Sequence, residues 1–139
     1  MRNECFLDTN VLIYAAAGRQ DEPEKYRVAE EIVRTANFCL SCQVLAEFYV
    51  NVVRKPMRPP PPDEIDRWIA HLQSFPVAPI DADLVRAGIA ISRRFEIGYW
   101  DAAIIAAAEF LDAGVLYTED LNHDQRYGSV RVVNPFKQH

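Results

Sequence analysis

Short runs suited to β-strands alternate along this chain with segments of helical periodicity, and that alternation constrains the fold more than any other feature. Cys5-Phe6-Leu7 reads as a first strand, followed by an apolar helix through Val11, Leu12, Ile13 and Tyr14 that stops near Gly18. Pro23 opens the next helix, with Tyr26, Ala29, Ile32 and Val33 at helical spacing. Phe38-Cys39-Leu40 reads as a second strand, and Ser41 is placed to N-cap a helix running to about Arg54. After the stiff connector Pro59-Pro60-Pro61-Pro62, Asp63 is expected to cap a helix carrying Ile65, Trp68, Ile69 and Leu72. Val77 to Ile80 predicts a third strand weakened by Pro79, and Asp81 begins a helix to about Phe95. A further helix starts around Asp101 and ends at Gly114, and its alanine-rich stretch is so uniformly apolar that it belongs in the interior. Val115-Leu116-Tyr117 and Val130 to Val133 supply the last strands. Such alternation predicts an α/β fold, a mainly parallel central sheet in a three-layer α/β/α arrangement. Ligands of such folds bind beyond the carboxyl ends of the strands, so the residues directly after each strand are the ones to inspect.

The 139 residues suit one domain, spanning 1–139, with no internal repeat. A hydrophobic share of 50% with 25% charged residues describes an ordinary globular chain. No apolar run approaches a membrane span and no signal peptide is visible, which makes the cytoplasm the expected location and a membrane partner unexpected. Three cysteines do not make a disulfide framework, and Cys39 and Cys42 lack the second pair that a zinc site would need, so they are expected in the core. With a net charge of −5, no global basic surface announces a nucleic-acid binder. A site built of carboxylates would itself contribute to that acidity, and bound cations would reverse its local sign.

Four acids stand where such a site would form. Asp8 directly follows the first strand, although Asp, Thr and Asn in Asp8-Thr9-Asn10 also serve as helix caps. Glu47 lies in the apolar run Val44-Leu45-Ala46-Glu47-Phe48-Tyr49-Val50, where burying a carboxylate requires compensation; the alternative is a solvated stripe with Asn51 and Arg54. Asp101 sits in the first turn of the central helix, a position the helix dipole favours by itself. Asp120 follows the strand at Val115 in an acidic loop that could simply be solvated. Taken together, the topology can bring all four to one rim, where hard cations would relieve their repulsion. All-oxygen ligation suits Mg²⁺ or Mn²⁺ rather than zinc.

Phe6-Leu7-Asp8-Thr9-Asn10-Val11-Leu12-Ile13, Glu47 in its apolar helix, Tyr99-Trp100-Asp101-Ala102 and Thr118-Glu119-Asp120 resemble the successive motifs of PIN domains, in order and over essentially the whole chain. The chain is most similar to the stand-alone bacterial PIN proteins of the VapC toxin type. That resemblance implies a metal-dependent endoribonuclease with Asp8, Glu47, Asp101 and Asp120 as catalytic metal ligands. It implies RNA cleavage leaving a 3′-hydroxyl and a 5′-phosphate, a small antitoxin partner whose C-terminal segment fills the site, and a homodimer. Many relatives carry a further acid two residues beyond the fourth, where this chain has Asn122, so that Asp124 is a possible substitute. Thr9, Asn10, Thr118 and Asn122 are expected to orient the acids by hydrogen bonds.

Arg54, Lys55, Arg58, Arg93, Arg94 and Arg126 are candidate RNA phosphate contacts, with ordinary surface charge as the alternative. Tyr49, Tyr99 and Trp100 can stack bases or simply pack. His71 is expected at the surface, and His123 is either solvated or a helper in proton transfer. A phosphate-handling domain also collects acids at strand ends. However, a haloacid-dehalogenase-like fold would want Asp-x-Asp in place of Asp8-Thr9-Asn10, and Lys25, Lys55 and Lys137 do not suit a receiver. The other rival is a PIN-like nucleic-acid-binding scaffold without catalysis.

Overall fold

The computed structural model describes residues 3–54 and 56–137. Its elements run β1 (Cys5–Leu7), α1 (Thr9–Ala17), α2 (Pro23–Thr35), β2 (Phe38–Ser41), α3 (Cys42–Val52), α4 (Pro62–Leu72), β3 (Val77–Ala78), α5 (Ala82–Phe95), α6 (Tyr99–Phe110), β4 (Val115–Tyr117), β5 (Arg126–Tyr127) and β6 (Val130–Val133). The strands form one sheet in the order β3-β2-β1-β4-β6-β5, parallel throughout except for the antiparallel β5–β6 pair. This is the three-layer α/β/α arrangement expected from the alternation. Among the described residues no helix is long and apolar enough to cross a membrane.

Local chemistry explains most boundaries. The Ser41 hydroxyl accepts from Val44 N at 3.3 Å and starts α3, and the Asp81 carboxylate accepts from Leu84 N at 2.8 Å and starts α5. The expected cap at Asp63 is not one: α4 begins at Pro62, whose fixed φ and missing N–H suit a first helical position, and Asp63 falls in the first turn. Before Pro79 the third strand stops at Ala78, because proline cannot donate to the ladder. β5 was not foreseen; it is two residues long and turns into β6 at Gly128, whose φ of +63° costs glycine nothing.

The core lies between sheet and helices. Phe6, Leu7, Phe38, Leu40 and Leu116 are fully buried on the central strands. Helix α6 is buried continuously from Ala102 to Ala108, as its composition requires. Against it lies α5, and the close approach depends on Gly88: a Cβ there would stand 3.1 Å from the Tyr99 ring and 3.3 Å from Ala103 Cα. Cys5 and Cys39 are core residues, their thiols pushed up to about 12 mainly by burial. Cys42, expected in the core with them, is exposed at the start of α3.

Candidate active site

The parallel register of β1 with β4 pairs Leu7 with Tyr117, so the residues that follow, Asp8 and Thr118, emerge side by side at the carboxyl edge of the sheet. Asp8 is both the N-cap of α1 and a buried acid: Oδ1 accepts from Thr9 N at 2.8 Å, and Oδ2 accepts from the Thr118 hydroxyl at 2.8 Å. Burial raises its pKa to about 6, and the charges of Asp120 and Glu47 push the same way, against the lowering effect of its two hydrogen bonds.

The other acids reach the same place from different elements. Glu47, in the second turn of α3, is half-buried; its Oε1 accepts from Thr9 Oγ1 at 3.4 Å and from Gln43 Nε2 at 3.3 Å. Asp120 follows β4, where its Oδ2 accepts from Asn10 Nδ2 at 3.0 Å and its amide donates to Thr118 Oγ1 at 3.1 Å. Asp101 stands exposed in the first turn of α6; the N-cap there is Gly98, so Asp101 does not serve as the cap. Its carboxyl is also raised, by partial burial and then by the charge of Asp120. Asp8, Glu47, Asp101 and Asp120 thus line one cavity of about 250 Å³, together with Thr9, Asn10, Gln43 and Asn51.

Carboxylates, amides and hydroxyls line this cavity, with no cysteine or histidine among the described lining residues. That donor set fits a hard divalent cation. Asn10 adds a buried Oδ1 that has no hydrogen-bond partner among the described residues, an acceptor suited to a cation or a water. Among those residues no three acids form a closed metal cage as they stand. Like charges repel at short range, and the exposed Asp101 and Asp120 have room to turn.

The model of the PIN domain family matches residues 5–128 of this chain. The chain belongs to the PIN-domain family. No curated protein sequence is significantly similar to this PIN domain. Among solved structures it resembles a toxin–antitoxin complex from Klebsiella pneumoniae, with a TM-score of 0.67 at 20% identity over 94% of this chain and 97% of that one. The VapC20 toxin of Mycobacterium tuberculosis, described as cleaving the sarcin–ricin loop, superposes with a TM-score of 0.66 at 18% identity, covering 84% of this chain and 89% of that one. VapBC2 from Rickettsia felis, bound to a promoter DNA fragment, gives 0.58 at 19% identity over 92% and 96% of the two chains. At such identities the likeness establishes the fold, and with the family match it displaces the receiver and phosphatase-like alternatives.

Several expected residues lie elsewhere. Asn122 Nδ2 donates to Gln125 Oε1 at 2.8 Å, not to one of the four acids, and Asn122 is not among the described residues lining the cavity. Asp124 does not replace the missing fifth acid, because Oδ1 accepts from Arg131 at 2.9 Å and Oδ2 faces His123 Nε2 at 3.3 Å, outside the cavity lining. His123 Nδ1 accepts from the Asn134 amide at 3.0 Å, and the ring does not line the cavity either. Arg54, Arg58, Arg93, Arg94 and Arg126 are exposed and none lines it; Lys55 lies outside the described residues.

Other lining residues went unrecognised in the sequence. Gln43 and Asn51 lie four residues either side of the expected Glu47 and share its stripe of α3; Asn51 was considered only as part of a solvated face, although the periodic signal was legible. Glu119 also lines the cavity, yet its carboxylate is already paired: it accepts from Tyr14 Oη at 2.6 Å and from Lys25 Nζ at 3.0 Å. No local pattern links Lys25 to Glu119, which are 94 positions apart.

Proposed function

We propose that this PIN domain is a divalent-metal-dependent endoribonuclease and the toxin of a toxin–antitoxin pair. The observation that carries this reading is the convergence of Asp8, Glu47, Asp101 and Asp120 on one cavity at the carboxyl edge of the sheet. Support comes from the structural relatives, one in a toxin–antitoxin complex and one described as cleaving the sarcin–ricin loop.

The four acids would hold Mg²⁺ or Mn²⁺. A bound divalent cation supplies Lewis acidity toward a phosphodiester and makes water a competent nucleophile near neutral pH. The chain's own contribution is orientation. Thr118 and the Thr9 amide fix Asp8, Asn10 turns Asp120, and Thr9 with Gln43 holds Glu47. Water attacks the RNA phosphodiester in line, leaving a 3′-hydroxyl and a 5′-phosphate. No serine, cysteine or histidine lines the cavity among the described residues, so none there competes as a covalent nucleophile.

A cytoplasmic location, a small antitoxin whose segment occupies the cavity, and a homodimer complete the reading. Ala46, Tyr49, Val50 and Val53 form an exposed, mainly apolar stripe along α3 and its C-cap, which supports a second copy as partner. The test is RNA cleavage by the purified chain with Mn²⁺ or Mg²⁺, with chelator, and with Asp8→Asn. Cleavage that needs metal and disappears in Asp8→Asn is expected. Cleavage that resists chelator would overturn the metal mechanism, and RNA binding without any cleavage would favour the non-catalytic scaffold.

A further inference from the structure

The acid cavity has one wall that its acids do not explain. Trp100, the residue before Asp101, lines the cavity, and its side chain is 65% exposed. Exposing so large an apolar ring forgoes burial that would otherwise stabilise the fold. The position is nevertheless built. Its carbonyl accepts from Gln43 Nε2 at 3.3 Å, tying it to the amide that also holds Glu47. Its ring meets that of Tyr99 edge to face, with centroids 5.0 Å apart. Tyr99 is itself half-buried against Gly88 of α5, so a fixed ring braces an exposed one.

Charge narrows what the exposed face can take. The chain carries −5, and the cavity beside Trp100 is lined by acids while none of the described arginines lines it. Lys25, the cation bonded to two of the lining residues, is paired with Glu119 at 3.0 Å, so a polyanion approaching here gains little from it. Aromatic stacking needs no charge and tolerates any base, since every base has a π-face. Tyr49 is also exposed, at 53%, but it does not line the cavity, and Tyr14 has its hydroxyl tied to Glu119.

From these observations we infer that Trp100 is a nucleobase-binding site, the platform on which an unpaired base beside the scissile phosphate stacks. The inference rests on the ribonuclease reading for its setting and adds the residue that would hold the base beside the cut. Paired bases in a duplex keep their faces covered and have no face to offer the ring. Trp100 therefore selects for loops and single strands.

The chain has two tryptophans, so Trp68→Phe leaves Trp100 as the sole indole reporter. In Mg²⁺, a short single-stranded oligonucleotide of mixed sequence, as RNA and as uncut DNA, should quench its emission, and the same sequence as a duplex should not. Trp100→Ala and Trp100→Leu should weaken single-strand binding by about fivefold to about 150-fold, and Trp100→Phe by less. The ratio between parent and Trp100→Ala should stay the same as salt is raised, unlike that of a phosphate contact. In cleavage assays the loss should appear in KM with kcat nearly kept. Melting temperatures should shift only slightly, because most of the ring is exposed.

Absence of quenching by either oligonucleotide overturns the assignment, whether or not the chain cuts RNA. Emission that follows protein concentration and ignores the oligonucleotides means a second copy covers Trp100, which overturns it as well. Quenching without any cleavage upholds the base site and removes the ribonuclease reading instead.

Discussion

The Thr118 hydroxyl donates to Asp8 Oδ2 at 2.8 Å across the ends of two neighbouring parallel strands. Thr118 Oγ1 in turn accepts from Asn10 Nδ2 at 3.3 Å and from the Asp120 amide at 3.1 Å. One fully buried hydroxyl therefore connects two of the acids and the amide that orients the second.

Thr118→Val keeps the shape and removes that oxygen. The Asp120 amide and Asn10 lose an acceptor, and Asp8 loses a donor that holds its pKa down. The expected cost is about 1–3 kcal/mol of stability together with lost cleavage. Thr118→Ser should recover most of both. Urea unfolding and RNA cleavage of the two variants check this, and a Val variant as active as the parent would contradict it.

Asp8 gives metal-free stability a definite pH dependence. Its folded pKa of about 6 exceeds the reference 3.8, so the folded state binds this proton more tightly than the unfolded chain. The resulting stabilisation is complete below about pH 4 and is lost as pH rises through about 6, amounting to about 3 kcal/mol. Asp8→Asn should flatten that fall and leave the metal-free protein less sensitive to pH between about 4 and about 7. Part of any gain at neutral pH is given back, since the new amide faces a Thr118 oxygen already accepting two hydrogen bonds. Denaturant midpoints in chelator, across that range, measure the difference between the two proteins. Equal slopes would mean that Asp8 does not titrate there.

Asp101→Asn separates a ligand from a structural acid. Gly98 is the N-cap of α6, so the substitution removes no cap bond. It does remove a charge that interacts with Asp120. In chelator the variant should be at least as stable as the parent. Mn²⁺ at a hundredfold excess over its dissociation constant should stabilise the parent by about 2.7 kcal/mol, and the variant by much less. Thermal melts with and without Mn²⁺ show this directly, and equal shifts would remove Asp101 from the metal site.

Arg93 and Arg94 are exposed in the last turn of α5, and the short loop from Glu96 to Gly98 separates that helix from Trp100 and Asp101. If RNA phosphates cross this corner, replacing both with alanine should flatten the salt dependence of single-strand binding by about 0.7 per lost contact. Metal affinity, read from Mn²⁺-dependent melting, should not change. An unaltered slope would place the RNA path elsewhere.

Local order was largely legible in the amino-acid sequence. Apolar periodicity marks the strands and helices, Ser41 and Asp81 announce the helices they cap, and the unbroken apolar run after Asp101 requires a buried helix. Because strand ends of a parallel α/β sheet carry its sites, Asp8 and Asp120 stood out in the sequence as candidates, as did Glu47 in its apolar run and Asp101 at the start of the central helix, and the PIN-like motifs linked all four. Tertiary structure decided how these groups meet. The register of Leu7 with Tyr117 puts Thr118 beside Asp8, and only packing brings Gln43 to the Trp100 carbonyl and Lys25 to Glu119. It also turned Asp124 to Arg131 and paired Arg126-Tyr127 as a strand. The physical reason is range. Periodicity and capping are set by neighbours within a turn or two, and the sequence carries them openly. A contact across a hundred positions depends on strand register and helix packing, which the whole core settles at once.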